Sequence, residues 1–106
     1  MTEIPTAVQR VIDATNAGDS DAFVAAFTDD AYLEDWGRAF HGHDGVRSWD
    51  GTDNIGRHAH FDVEGSRRDG ADWIVTLRVS GGGFNGTSDI RFTVDGDRVS
   101  RMVITP

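Results

Sequence analysis

The sequence predicts an α+β domain, with helices covering one face of a mostly antiparallel sheet. Three observations predict it. Apolar residues recur at helical spacing over residues 5–17 and 20–27, and more briefly from residue 42. From about residue 57 the period changes to two. The turn signals Asp69-Gly70, Asn85-Gly86 and Asp95-Gly96-Asp97 then divide the remainder into a meander of four strands.

The first helix opens at Pro5, whose fixed φ suits a first turn, and Ala7, Val8, Val11, Ile12 and Thr15 form its apolar stripe. Gly18 offers a left-handed cap. Asp19 or Ser20 caps a second helix that buries Ala22, Phe23, Ala26 and Phe27. Thr28-Asp29-Asp30 reads as a turn and Ala31–Trp36 as a short strand, with Gly37–Phe40 returning beside it. Gly42–Trp49 forms a third short helix, and Gly51-Thr52-Asp53-Asn54 is loop. In the meander, Ala59, Phe61 and Val63 share a face, as do Trp73, Val75, Leu77 and Val79, and then Ile90, Phe92 and Val94. The last strand runs from about Arg98 to Thr105.

The totals narrow the chemistry. A chain of 106 residues supports one core, so residues 1–106 are expected to form a single domain. The formal net charge of −8 argues against nucleic acid and anionic membrane as partners, since both require a basic patch. All 10 basic residues are Arg, which removes Schiff-base chemistry. Without cysteine there is no disulfide, thiol nucleophile or thiolate metal site. No apolar run resembles a signal peptide or spans a bilayer, so the expected location is cytoplasmic.

The stretch that carries chemistry is Ala31–Trp36. Alternation sends Ala31, Leu33 and Asp35 to one face and Tyr32, Glu34 and Trp36 to the other. An acid on an apolar wall loses hydration, which raises its affinity for a proton and suits it to act as a general base. The bland alternative is that Asp35 only caps the following turn. His58, His60 and Glu64 share one strand face in a pattern resembling half of a cupin metal motif. The second half needs a later histidine, and none follows His60, so a polar sheet face is expected and no metal. Asp44 and Asp50 are expected in solvent. Trp49 is a wall of a pocket or of the core.

Val8-Gln9-Arg10, Asn16-Ala17-Gly18-Asp19, Phe27–Ala31, Glu34-Asp35 and the short helix after Gly42 together resemble the nuclear transport factor 2-like superfamily. That group holds ketosteroid isomerases and SnoaL-like polyketide cyclases. The resemblance implies a cystatin-like fold, a cone-shaped curved sheet closed by three N-terminal helices around a pocket for a small, mainly apolar or carbonyl-containing molecule. It implies a homodimer through the sheet and no cofactor. Asp35 falls on the isomerases' general base. Their two tyrosine positions fall on Val11 and Asp50, and a pocket-wall aromatic falls on Trp49. Their protonated acid falls on Asp89 by gapless counting or on Ser88 by the apolar phase of Ile90 and Phe92, and the phase is preferred. The implied activity is abstraction of a proton next to a carbonyl by Asp35, with Val11, Thr15, Trp49, Ser88 and Phe92 against the substrate. Thr15, Ser88 or a water would steady the enolate. The alternative is a non-catalytic module that binds a small ligand or dimerises, its cone filled by Val11, Phe23, Phe27, Val75 and Phe92.

Overall fold

A computed structural model of the chain describes residues 3–106. Helix α1 (Thr6–Ala17) buries Val8, Val11, Ile12 and Thr15. Pro5 stands just outside it as the extended cap residue, and Gly18 closes it at φ 69°, a conformation only glycine adopts without cost. Helix α2 (Ser20–Ala25) starts where the Asp19 carboxylate accepts the Ala22 N–H at 3.0 Å. It stops short of the sequence expectation because the Ala26 carbonyl accepts the Val99 N–H at 2.8 Å. That bond draws Phe27 out of the helix and into a strand.

Strand β1 (Phe27–Asp35) therefore includes Thr28-Asp29-Asp30, which the sequence predicts as a turn. Its ladder shifts register between Phe27 and Tyr32, and on this irregular part of the strand Asp29 and Asp30 are exposed while the Thr28 hydroxyl is turned inward. Strand β2 (Arg38–His41) returns antiparallel, with Asp35 opposite Arg38. Helix α3 (Gly42–Asp53) continues through the predicted loop, and a single tight turn over Ile55–Arg57 follows it. The Thr52 hydroxyl donates back to the Ser48 carbonyl at 3.1 Å, and Asp53 is anchored to Arg38. A tertiary ion pair thus prolongs a helix whose Gly51 disfavours it locally.

The meander follows as β3 (His60–Asp69), β4 (Asp72–Ser80), β5 (Gly86–Asp95) and β6 (Arg98–Ile104). The order across the sheet is β2-β1-β6-β5-β4-β3. The β1–β6 pair is parallel and the others are antiparallel. Asn85-Gly86 is not the tip of a hairpin. Gly81–Asn85 forms the connection, and the Asn85 amide donates to the Gly81 and Gly83 carbonyls at 2.9 and 3.1 Å. The three helices lie on one sheet face and bury Val8, Val11, Phe23, Leu33, Leu77 and Phe92 against it. This is the expected α+β arrangement. Among the described residues no helix is long and apolar enough to cross a membrane.

Candidate functional site

Where β1 ends, the sheet and α3 diverge and leave a cavity of about 530 Å³. One wall is apolar, built from Phe61, Val79, Ile90 and Ile104 on the inward phase of β3, β4, β5 and β6. The opposite wall is polar, with Asp35 from β1, Arg38 from β2, and Asp53, Asn54 and Arg57 from the end of α3 and the turn after it. Trp36 and Phe84 stand at the rim, 59% and 52% exposed.

Asp35 is the last residue of β1, and its side chain is 16% exposed. Its Oδ2 accepts two bonds, from Trp49 Nε1 at 2.9 Å and from Arg38 Nη2 at 2.7 Å. Its Oδ1 takes no hydrogen bond among the described residues. The wall beside Asp35 is thus not purely apolar, because an indole N–H and a guanidinium are fixed against one carboxylate oxygen. Trp49 is itself locked, stacked on Phe23 at 6.0 Å between ring centres. Arg38 also holds Asp53, with Nη2 on Oδ1 at 2.9 Å and Nη1 on Oδ2 at 3.4 Å. Burial pushes the Asp53 carboxyl up. Hydrogen bonds from Arg38 and Thr52 and the charges of Arg38 and Arg57 outweigh it, so the group lies below its ordinary value. The same bond to Asp53 raises Arg38. One arginine therefore ties two acids together at the edge of the cavity.

Behind this wall lies a buried polar cluster. The expectation that Asp50 faces solvent is overturned, since it is 1% exposed. Its Oδ1 accepts from Asn54 Nδ2 at 3.0 Å, and Asn54 Nδ2 also donates to the Thr15 hydroxyl at 3.0 Å. Asp50 is turned inward because it is one turn before Asn54, whose side chain bridges α3 to α1. Asp50 Oδ2 and Asn54 Oδ1 are buried without a partner among the described residues. Asp44 is exposed.

The other sequence-predicted residues separate into two groups. Trp49 and Ser88 line the cavity together with Asp35. Val11 and Phe92 lie in the core away from it, fully buried. Thr15 is also buried, its hydroxyl donating to the Val11 carbonyl at 2.9 Å. Asp89 is on the opposite sheet face from Ser88, where it accepts from Thr76 at 2.5 Å and lies 3.8 Å from Arg67. Alternation continued through Trp36 predicts it opposite Asp35. The strand ends at Asp35, however, and Trp36 adopts φ 50° in the β1–β2 turn, which brings it to the same cavity as Asp35. Sequence reasoning missed Arg38, Asp53, Asn54 and Arg57. A signal existed in the i, i+4 spacing of Trp49 and Asp53, which puts both on one face once the helix is extended past Gly51. Among the described residues no group of three or more His, Asp or Glu side chains is placed to hold a metal ion.

The fold has many counterparts among solved structures. A Sinorhizobium meliloti protein named provisionally as a polyketide cyclase is 27% identical, with a TM-score of 0.83 over 96% of this chain and 95% of that one. A cystatin-fold protein from Novosphingobium aromaticivorans is 20% identical, with a TM-score of 0.76 over 98% of this chain and 100% of that one. The Δ5-3-ketosteroid isomerase from a Mycobacterium species shares the fold at 15% identity and a TM-score of 0.81, covering 97% and 94% of the two chains. No curated protein matches the chain. Residues 8–103 match the SnoaL-like domain, and the chain belongs to that family.

Proposed function

We propose that the protein is a cofactor-independent enzyme of the ketosteroid isomerase and SnoaL-like type, acting on a small carbonyl compound. Asp35 removes a proton from the carbon next to the carbonyl and returns it elsewhere on the same skeleton. The observation that carries the reading is the division of labour within one carboxylate. Oδ2 is anchored by Trp49 and Arg38, and Oδ1 is left open at a cavity-lining residue. An anchored base approaches its proton with its orientation already fixed.

The negative charge that develops on the carbonyl oxygen needs a donor. By the family resemblance Val11 and Asp50 fall where the isomerases carry tyrosines, and the Thr15 hydroxyl is committed to the Val11 carbonyl. Ser88 lines the cavity and its hydroxyl makes no hydrogen bond among the described residues, so it is the donor assigned here.

Exchange of α-protons for deuterium in a panel of aryl ketones, followed by NMR, tests this without knowing the substrate. Wild type should accelerate exchange of at least one ketone, and Asp35→Asn should reduce that rate by a factor on the order of 10²–10⁴. Equal exchange by the variant removes Asp35 as base. Ketone binding without exchange favours the non-catalytic module.

A further inference from the structure

The ten arginines of this acidic chain are almost all spoken for. Arg10, Arg38, Arg47, Arg67, Arg78, Arg91 and Arg98 each lie against a carboxylate. Arg68 and Arg101 lie over the rings of Trp73 and Tyr32, at 4.9 and 4.7 Å from the centroids. Among the described residues Arg57 alone has neither an acid nor a ring. It is also one of two arginines that line the cavity, and the other, Arg38, is occupied by Asp35 and Asp53.

Arg57 is nevertheless held in place. Its Nε donates to the Thr52 carbonyl at 3.1 Å, and its own carbonyl accepts the Gly82 N–H at 2.7 Å. Gly83 lies against its side-chain stem, and a Cβ added there would stand 3.4 Å from Arg57 Cβ and Cγ. Both terminal amino groups are without hydrogen-bond partners among the described residues. Asp53 is near enough for Arg57 to help depress its carboxyl, but both of its oxygens are already on Arg38. The cavity mouth thus presents a guanidinium with a fixed stem and an unused planar edge, next to apolar walls. A guanidinium edge is matched by a carboxylate, which it binds through two parallel N–H bonds.

We infer that the natural ligand is a carbonyl compound with an apolar body and a terminal carboxylate, and that Arg57 is the carboxylate receptor at the mouth of the cavity. This rests on the reading of the cavity as a small-molecule site and adds the class of ligand. An acidic protein repels anions at long range, so a single unpaired cation at the entrance also decides where an anionic ligand can land.

The test is a pair of probes that share one aryl ketone, naphthoylpropionate and its methyl ester, titrated by calorimetry and by NMR of the Trp49 indole N–H. Wild type should bind the acid at least tenfold more tightly than the ester. Arg57→Met keeps the stem and should abolish that preference, the loss of affinity falling mainly on the acid. Arg57→Lys should recover part of it, and circular dichroism checks that both variants are folded. Equal binding of acid and ester by wild type, or a preference that survives Arg57→Met, overturns the assignment of Arg57. In that outcome a ligand-shifted Trp49 signal still leaves the cavity reading standing. If neither probe perturbs Trp49 in wild type, both readings fall together.

Discussion

The two ends of the space between helices and sheet are built on opposite principles. At one end Val8, Val11, Phe23, Phe27, Val75 and Phe92 interlock with no exposed surface. At the other, beyond Trp49, the same sheet face borders about 530 Å³ of open cavity with charged residues around it. The packed end explains why a chain of 106 residues holds its fold while leaving part of its interior unfilled. The open end shows what that packing releases: residues there need not fill space and are arranged by hydrogen bonds and ion pairs. Stability and the proposed binding are thus assigned to different ends of one core.

Paired truncations test that division, and the largest effect belongs to the packed end. Phe92→Ala should cost about 3–5 kcal/mol in denaturant unfolding, and Phe84→Ala, at the rim, about 0.5 kcal/mol or less. Similar losses at both sites would erase the distinction. Gly56→Ala tests whether the polar wall is rigid. A Cβ there would meet the Gly51 carbonyl oxygen at 1.6 Å, so the turn carrying Arg57 must move. A loss of about 1–3 kcal/mol is expected, with altered NMR shifts concentrated in residues 51–58.

The smallest effect is electrostatic. Asp53 is held below its ordinary 3.8 in the folded protein. Between its folded and unfolded values the unfolded chain binds the extra proton, so this contribution to stability rises with pH. It is complete above the unfolded value and disappears as pH falls through the folded one. Asp53→Asn should therefore flatten part of the acid limb of a stability-against-pH curve and leave its slope near neutrality unchanged. An unaltered acid limb would show that Arg38 does not couple to Asp53 in solution.

How much of this was legible in the sequence depends on what each residue answers to. The inward phases of the meander follow from alternation, because Phe61, Leu77, Ile90 and Phe92 each obey their own strand. Gly18 and Asp19 act within one turn of where they stand, and their caps could be read directly. The extension of α3 to Asp53 could not, since its support comes from Arg38 on another element. The parallel pairing of β1 with β6 joins distant stretches of chain and leaves no local pattern. Asp50 and Trp36 were misplaced for related reasons. A partner four residues later draws one inward, and a backbone reversal redirects the other. Of the candidate site, Asp35 was visible as pattern and Trp49 and Ser88 through the family resemblance, whereas the arginines and the second acid were visible only as composition.

The corner at Trp36 and Gly37 has a consequence for how this protein can change. Both residues have positive φ, a geometry that asparagine and glycine adopt readily and a bulky indole does not. A drift toward Asn-Gly would relax the hairpin and be welcomed by any selection for robustness alone. It would also strip the indole from the doorway. Persistence of the tryptophan through random mutagenesis under selection for the proposed activity, and its early loss under selection for heat tolerance alone, would mark this corner as the place where the two pressures pull apart.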